Sequence, residues 1–151
     1  MAAPNTILVP VINTTASLDA VAAACALAKQ RKGRVYVVHV IEVNRSLPLN
    51  AEMDAEARRG EALLRRAEEV AAAADLHVTG GLLQARDAGQ AIVEDARDRS
   101  VDAIIIGVGY KRVLGSFEIG RTANYVLKNA PCQVWVVRQA VAQPAPAAPH
   151  G

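Results

Sequence analysis

The sequence predicts an α/β protein: an open sheet of five parallel strands with helices on both faces. Two observations lead there. Strand and helix signals alternate along the 151 residues, five of the first and four of the second. The clearest strand segments are continuous apolar runs, as parallel strands covered on both faces require.

Ile7-Leu8-Val9-Pro10-Val11 opens the chain as a first buried strand, and the turn from Asn13 to Ser17 is able to cap the next helix. That helix, over about 17–31, carries Leu18, Val21, Cys25 and Ala28 at helical spacing and stops at Lys32-Gly33. The run Val35 to Ile41 is the second strand. After a loop over 44–51 containing Pro48, a long charged helix runs from about Ala51 to Ala74, with Leu63, Leu64, Ala67 and Val70 as its inner stripe. A third strand, Leu76 to Leu83, is weakened by Gly80-Gly81 and leads to a helix over Ala88 to Arg97, which Asp87 is placed to cap. Ala103 to Gly107 is the fourth strand, and Thr122 to Asn129 the last helix, which Pro131 stops. Gln133 to Val137 closes the sheet as an edge strand bearing Trp135, the only tryptophan, and an exposed edge invites pairing with a second subunit. Residues 1–138 thus form one domain, and the Ala/Pro-rich residues 139–151 are expected to be a disordered tail.

Composition narrows the function. Aromatic residues are 3% of the chain, too few for a surface that stacks nucleic-acid bases, and a net charge of +2 is too mild for a general polyanion binder. No apolar run is long enough to span a bilayer and no signal peptide is visible, so a cytoplasmic location is expected. Cys25 and Cys132 lack metal-ligand spacing and read as small buried apolar residues. None of His39, His77 and His150 falls in a two-histidine helix pattern, and His39 reads as a hydrogen-bonded core residue. No metal site is expected.

The informative stretch begins where the fourth strand empties into Gly107-Val108-Gly109-Tyr110. Lys111, Arg112, Gly115 and Gly120 then lead to the last helix. Unpaired backbone N–H groups at a helix start, aided by the helix dipole, attract phosphate. In open parallel sheets ligands sit at the carboxyl ends of the strands, where the connections change direction. Arg45, Arg86, Lys111, Arg112 and Arg121 all map to loops at that rim. Arg45 and Arg86 read individually as solvated charge, whereas Lys111 and Arg121 lie beside the helix start.

Over about residues 5–138 the chain resembles the universal stress protein family. The likeness is carried by Ile7 to Val11, by Val38-His39-Val40, and most specifically by Asn129-Ala130-Pro131-Cys132 with the strand after it. The resemblance implies a five-stranded parallel sheet, commonly dimeric through the last strand, in regulators of stress survival or of attached membrane transporters, many of which bind ATP or AMP. Nucleotide-binding members carry Gly, two residues, Gly, nine residues, then Gly-Ser or Gly-Thr. Here Gly107 and Gly120 match, but the second glycine is Tyr110 and the hydroxyl residue is Arg121. The acidic residue that resembles an adenine-binding group is Ile12, with Asn13 after it.

Each change has its own physics. Tyr110 limits how closely the backbone wraps a phosphate, yet its ring can stack on a base or close over it. Arg121 gives up a short hydrogen bond but places a guanidinium, a good phosphate partner, at the helix start. Ile12 cannot accept from an adenine amino group, which leaves base recognition to backbone groups near Val40. A second alignment uses Gly115-Ser116 as the hydroxyl-bearing pair, and a plain turn there fits as well. The resemblance therefore implies a nucleotide site of Pro10, Val11, Ile12, Val40, Gly107, Gly109, Tyr110, Lys111, Gly120, Arg121 and Thr122. Its ligand is AMP, ATP or a cyclic nucleotide, with the compact ligands favoured over ATP. The alternative is a nucleotide-free interaction module acting as a homodimer or on a membrane transporter. No carboxylate pair or general base supports catalysis, and slow ATP hydrolysis is the weakest reading.

Overall fold

Residues 4–110, 112–113 and 115–141 are described by a computed structural model, residues 112 and 113 by their backbone alone. Lys111 and residues 142–151 of the expected tail, including His150, lie outside the described residues. The elements, in chain order, are β1 (Thr6–Pro10), α1 (Thr15–Arg31), β2 (Arg34–Glu42), α2 (Asp54–Ala73), β3 (Val78–Ala85) and α3 (Ala88–Asp98). They continue with β4 (Ala103–Val108), β5 (Arg112–Val113), β6 (Ser116–Phe117), α4 (Arg121–Asn129) and β7 (Gln133–Arg138).

The main sheet has five parallel strands in the order β3-β2-β1-β4-β7. Its residues alternate between two cores. Ile7, Val9 and Ile105 pack under α1 and α2, whereas Leu8 and Ile104 pack with α3 and α4. This explains the unbroken apolar runs of β1 and β4: the side chains of Ile7, Leu8, Val9, Ala103, Ile104 and Ile105 are buried, whichever face they take.

Helix α1 begins two residues before the predicted start. Thr14 caps it by accepting the Ser17 N–H at 3.2 Å, and the buried Ser17 hydroxyl accepts the Ile12 N–H at 3.0 Å. At the other end the left-handed residue is Lys32 (φ 54°), not Gly33. Gly33 is needed for a different reason, since a Cβ there would collide with the Asn5 carbonyl oxygen.

Helix α2 starts at Asp54 rather than near Ala51. Its Met53 cap makes no side-chain hydrogen bond, and Asp54 and Glu56 offset the dipole instead. Strand β3 is shifted two residues along, and Gly80-Gly81 pair in register with Val37-Val38. Asp87 caps α3 as predicted, accepting the Gln90 N–H at 3.1 Å. The segment between β4 and α4 was expected to be a plain loop. It contains the antiparallel hairpin β5-β6, with Gly115 (φ 81°) in its turn. Strand β7 is an edge, as predicted, with Trp135 and Val136 exposed. At the start of the expected tail, Gln139 extends the ladder, its N–H donating to the Val108 carbonyl at 2.8 Å.

Candidate functional site

The crossover from β3 through α3 returns the chain past β2 and β1 to place β4 on the other side of β1. The connections therefore reverse between β1 and β4, which opens a notch at the carboxyl rim. The exits of β1 and β4, the end of β2 and the start of α4 all meet this rim. Chain order and strand order put Pro10, Val11, Ile12, Val40, Gly107, Gly109, Tyr110, Gly120, Arg121 and Thr122 at or beside these strand ends and the start of α4.

The β1 exit is tied down by its own hydrogen bonds. Val11 N–H donates to the Val38 carbonyl at 2.8 Å, and the His39 ring donates through Nδ1 to the Val11 carbonyl, also at 2.8 Å. The Ile12 carbonyl accepts the Thr14 N–H at 2.7 Å, while the Ile12 side chain stays 58% exposed. Because Val38 turns its carbonyl toward β1, the period-two alternation turns the Val40 backbone groups the same way, beyond the end of β1. His39 is half-buried and lines a surface cleft, so it is not the core residue expected from sequence.

Gly107 is glycine for a packing reason: a Cβ there would run into the Ala16 carbonyl of α1 and lie 2.9 Å from the Ser17 nitrogen. Gly109 and Gly120 have no such crowding from backbone. Gly120 is the N-cap of α4, in extended conformation and with no side chain to satisfy the helix's first N–H groups. Arg121, the first helical residue, reaches back across the notch, and its Nη2 lies 3.3 Å from Glu42 Oε2. Both side chains are substantially exposed, so the pair is held weakly.

Tyr110 is engaged within its own loop. Its ring is stacked on Phe117, centroids 5.5 Å apart and planes 2° from parallel, and the Arg138 guanidinium lies 4.9 Å from its centroid. Neither Phe117 nor Arg138 stands out in the sequence. A Gly115 flanked by short runs was the available signal for the hairpin that brings Phe117 back. The expected gathering of rim cations is only partly present. Arg86 spends its guanidinium on the Asn44 and Val43 carbonyls at 2.7 and 3.4 Å, bracing the β2 exit.

A cleft of ≈ 440 Å³ lies between the end of β2 and α2, in the size range of small-molecule sites. Of the site residues named from sequence, only Val40 lines it; Asn13, Glu42, Arg59 and Arg66 also do. Glu42 joins the cleft to the notch, since it lines one and pairs with Arg121 at the other. Arg66 was missed because it is far from Asn13 in sequence, yet its Nη2 donates to Asn13 Oδ1 at 2.7 Å.

Neither cysteine has the setting of a nucleophile. Cys25 is fully buried and Cys132 only half-buried, a correction to the expectation for the second. Burial pushes both thiols up, and Asp102 adds to the rise at Cys132. Among the described residues no three of His, Cys, Asp and Glu gather so as to hold a metal ion, and no helix is long and apolar enough to cross a membrane.

Comparison with known proteins agrees with this architecture. A universal stress protein of Methanocaldococcus jannaschii is 29% identical over 139 residues, spanning 88% of this chain and 81% of the relative. The solved universal stress protein of Archaeoglobus fulgidus superposes with a TM-score of 0.76 at 22% identity, covering 87% of this chain and 97% of that one. A structure of the universal stress protein from the same organism in complex with dAMP gives 0.71 at 21% identity, covering 87% and 96%. At these identities the structural likeness speaks for the fold. The model of the universal stress protein family matches residues 4–138, and the chain belongs to that family.

Proposed function

We propose that the chain is a small regulatory protein that takes a nucleotide or related phosphate ligand at the carboxyl rim of its sheet. The observation that carries this reading is the start of α4: an N-terminus without a side-chain cap, with Arg121 beside it, at the point where the connections reverse. In this reading Gly107, Gly109, Tyr110, Lys111, Gly120, Arg121 and Thr122 surround the phosphate, and Pro10, Val11, Ile12 and Val40 face the base. The dAMP held by the Archaeoglobus relative supports a nucleotide as the ligand class. Tyr110, stacked on Phe117 under Arg138, stiffens the loop over the phosphate side and favours a monophosphate or cyclic nucleotide over ATP. The protein acts by binding, without turnover. Calorimetry with a nucleoside monophosphate, a cyclic nucleotide and ATP tests the reading. Heats that rank the compact ligands ahead of ATP are expected; the reverse order defeats the size argument, and zero heat for all defeats the site.

A second reading, an interaction module in the cytoplasm, draws on the edge of the sheet. Trp135 is 40% and Val136 37% exposed on the edge strand β7, a costly apolar display unless another surface covers it. A second copy pairing along β7 is the proposed partner, and a membrane transporter is the further partner of the same reading. A solution mass of two chains at micromolar concentration is expected from light scattering. A one-chain mass, unchanged on Trp135→Ala, counts against it.

A further inference from the structure

We propose that the β3 edge of the sheet, flanked by acidic side chains of α3, docks an extended basic segment of a partner protein, which joins β3 as a further strand. The proposal is independent of the nucleotide reading, which concerns the notch between β1 and β4.

It starts from an edge without the usual protections. Exposed edge strands are kept short or blunted by charge, proline or a bulge. β3 is eight residues long, with no charged residue and no proline from Val78 to Ala85. Among the described residues its one strand partner is β2, so its outer backbone groups face away from the sheet. Two glycines sit in it, and packing within the chain demands neither. A Cβ on Gly80 would make ordinary contact with Leu64 at 3.6 Å, and one on Gly81 would meet nothing within 4 Å. Glycine inside a strand often marks a place where another backbone comes close.

The surface beside this edge defines what fits there. Strand alternation turns Gly81 to the same side as Leu83, where a cleft of ≈ 390 Å³ lies between β3 and α3. Leu83 and Ala85 line its apolar side. Leu49 bounds it at the carboxyl end of β3, its carbonyl accepting from Gln84 Nε2 at 3.0 Å. The α3 wall is acidic. Asp87 is used in capping and Asp95 by Arg99 at 3.0 Å, but Glu94 and Asp98 are exposed and, among the described residues, have no cationic partner. Arg86 also lines the cleft, but its guanidinium is given to the Asn44 and Val43 carbonyls.

Spacing matches as well as charge. α3 links the end of β3 to the start of β4, so it runs back alongside β3. Glu94 and Asp98 are about 6 Å apart along the helix, close to the roughly 6.6 Å between alternate side chains of an extended chain. Basic residues at every second position of an added strand therefore meet the two carboxylates in turn, their stems crossing the space beside Gly81. A second copy pairing antiparallel along this edge would instead set one acidic wall beside another, and like charges oppose that.

Fluorescence anisotropy on the full chain tests the proposal. The probe is a labelled six-residue peptide with lysine at every second position and threonine or valine between. It is expected to bind at least about tenfold more tightly than the same peptide with methylated backbone amides, which keeps its charge but loses the strand's donors. Glu94→Lys combined with Asp98→Lys is expected to lose the lysine peptide and to gain its glutamate counterpart. Both residues are exposed, so this variant is expected to fold, which its thermal melt checks. Gly81→Val, which fills the crossing, is expected to weaken the lysine peptide without lowering the melting temperature. Equal affinity for the methylated peptide leaves plain charge attraction and overturns strand addition. Binding untouched by the charge reversal overturns the location. A solution mass that falls on Gly81→Val gives the edge to a second copy and overturns the partner. No binding of the lysine peptide overturns the proposal outright.

Discussion

Gly107→Ala is expected to destabilise the protein by about 3 kcal/mol, the upper end of the usual cost of overpacking. The added methyl meets backbone, the Ala16 carbonyl and the Ser17 nitrogen, rather than the tip of a movable side chain. Relief requires the first turn of α1 to lift from β4. That turn is buried at Ala16 and Ser17, and the Ser17 hydroxyl holds the Ile12 N–H. A shift there therefore passes directly to the β1 exit. In urea unfolding the midpoint should fall with an unchanged slope, and the melting temperature should drop by roughly 6–12 °C for a chain of this size. Gly81→Ala is the control. Nothing lies within 4 Å of a Cβ at Gly81, so that variant should be close to neutral. Equal effects at the two positions would mean that the close approach of α1 to β4 is wrong.

Arg121→Ala is expected to cost about tenfold or more in affinity for a nucleoside monophosphate, since a hydrogen bond to a charged group is worth about 1.5–3 kcal/mol. Stability should barely move. The ion pair lost is the exposed one with Glu42, and such pairs are worth about 0–1 kcal/mol. The sharper expectation concerns Glu42→Gln. A carboxylate now occupies the arginine that a phosphate would use, so removing its charge should raise affinity several-fold and leave the melt unchanged. Both effects should shrink with added salt, because the groups are exposed to solvent. Calorimetry at low and high ionic strength measures them. If Arg121→Ala and Glu42→Gln weaken binding alike, Glu42 contacts the ligand and does not compete with it.

The central strands β1, β2 and β4 were legible in the sequence because parallel pairing buries both their faces, so each wrote itself as an apolar run, whereas the edge strands β3 and β7 hold no buried residue. Trp135 on an edge followed from its place in the last such run. Helix starts were less legible. The boundary at Asp54 depends on where the Pro48 loop leaves the end of β2, and Met53 carries no capping side chain to mark it. The stop at Lys32-Gly33 was legible, but not the division of labour within it: Lys32 takes the left-handed position, and Gly33 approaches the Asn5 carbonyl too closely for a side chain. The rim residues of β1, β2, β4 and α4 were named through the resemblance to the family and the glycine spacing, and the fold places them at the strand ends it implies. The partners that shape them were not. Glu42 to Arg121, Arg66 to Asn13 and Tyr110 to Phe117 are side-chain meetings set by three-dimensional packing, and no local pattern announces them.

The location of the ligand is the central claim, and backbone amide shifts measured by NMR during an AMP titration test it most directly. Three groups should move together and saturate at one affinity: Val11 to Asn13, Val40, and the stretch from Gly107 to Thr122. Amides at the opposite end of the sheet, around Gly33 and Asp102, should stay still. Shifts confined to β7, or spread evenly over the surface, would contradict a nucleotide site at the carboxyl rim.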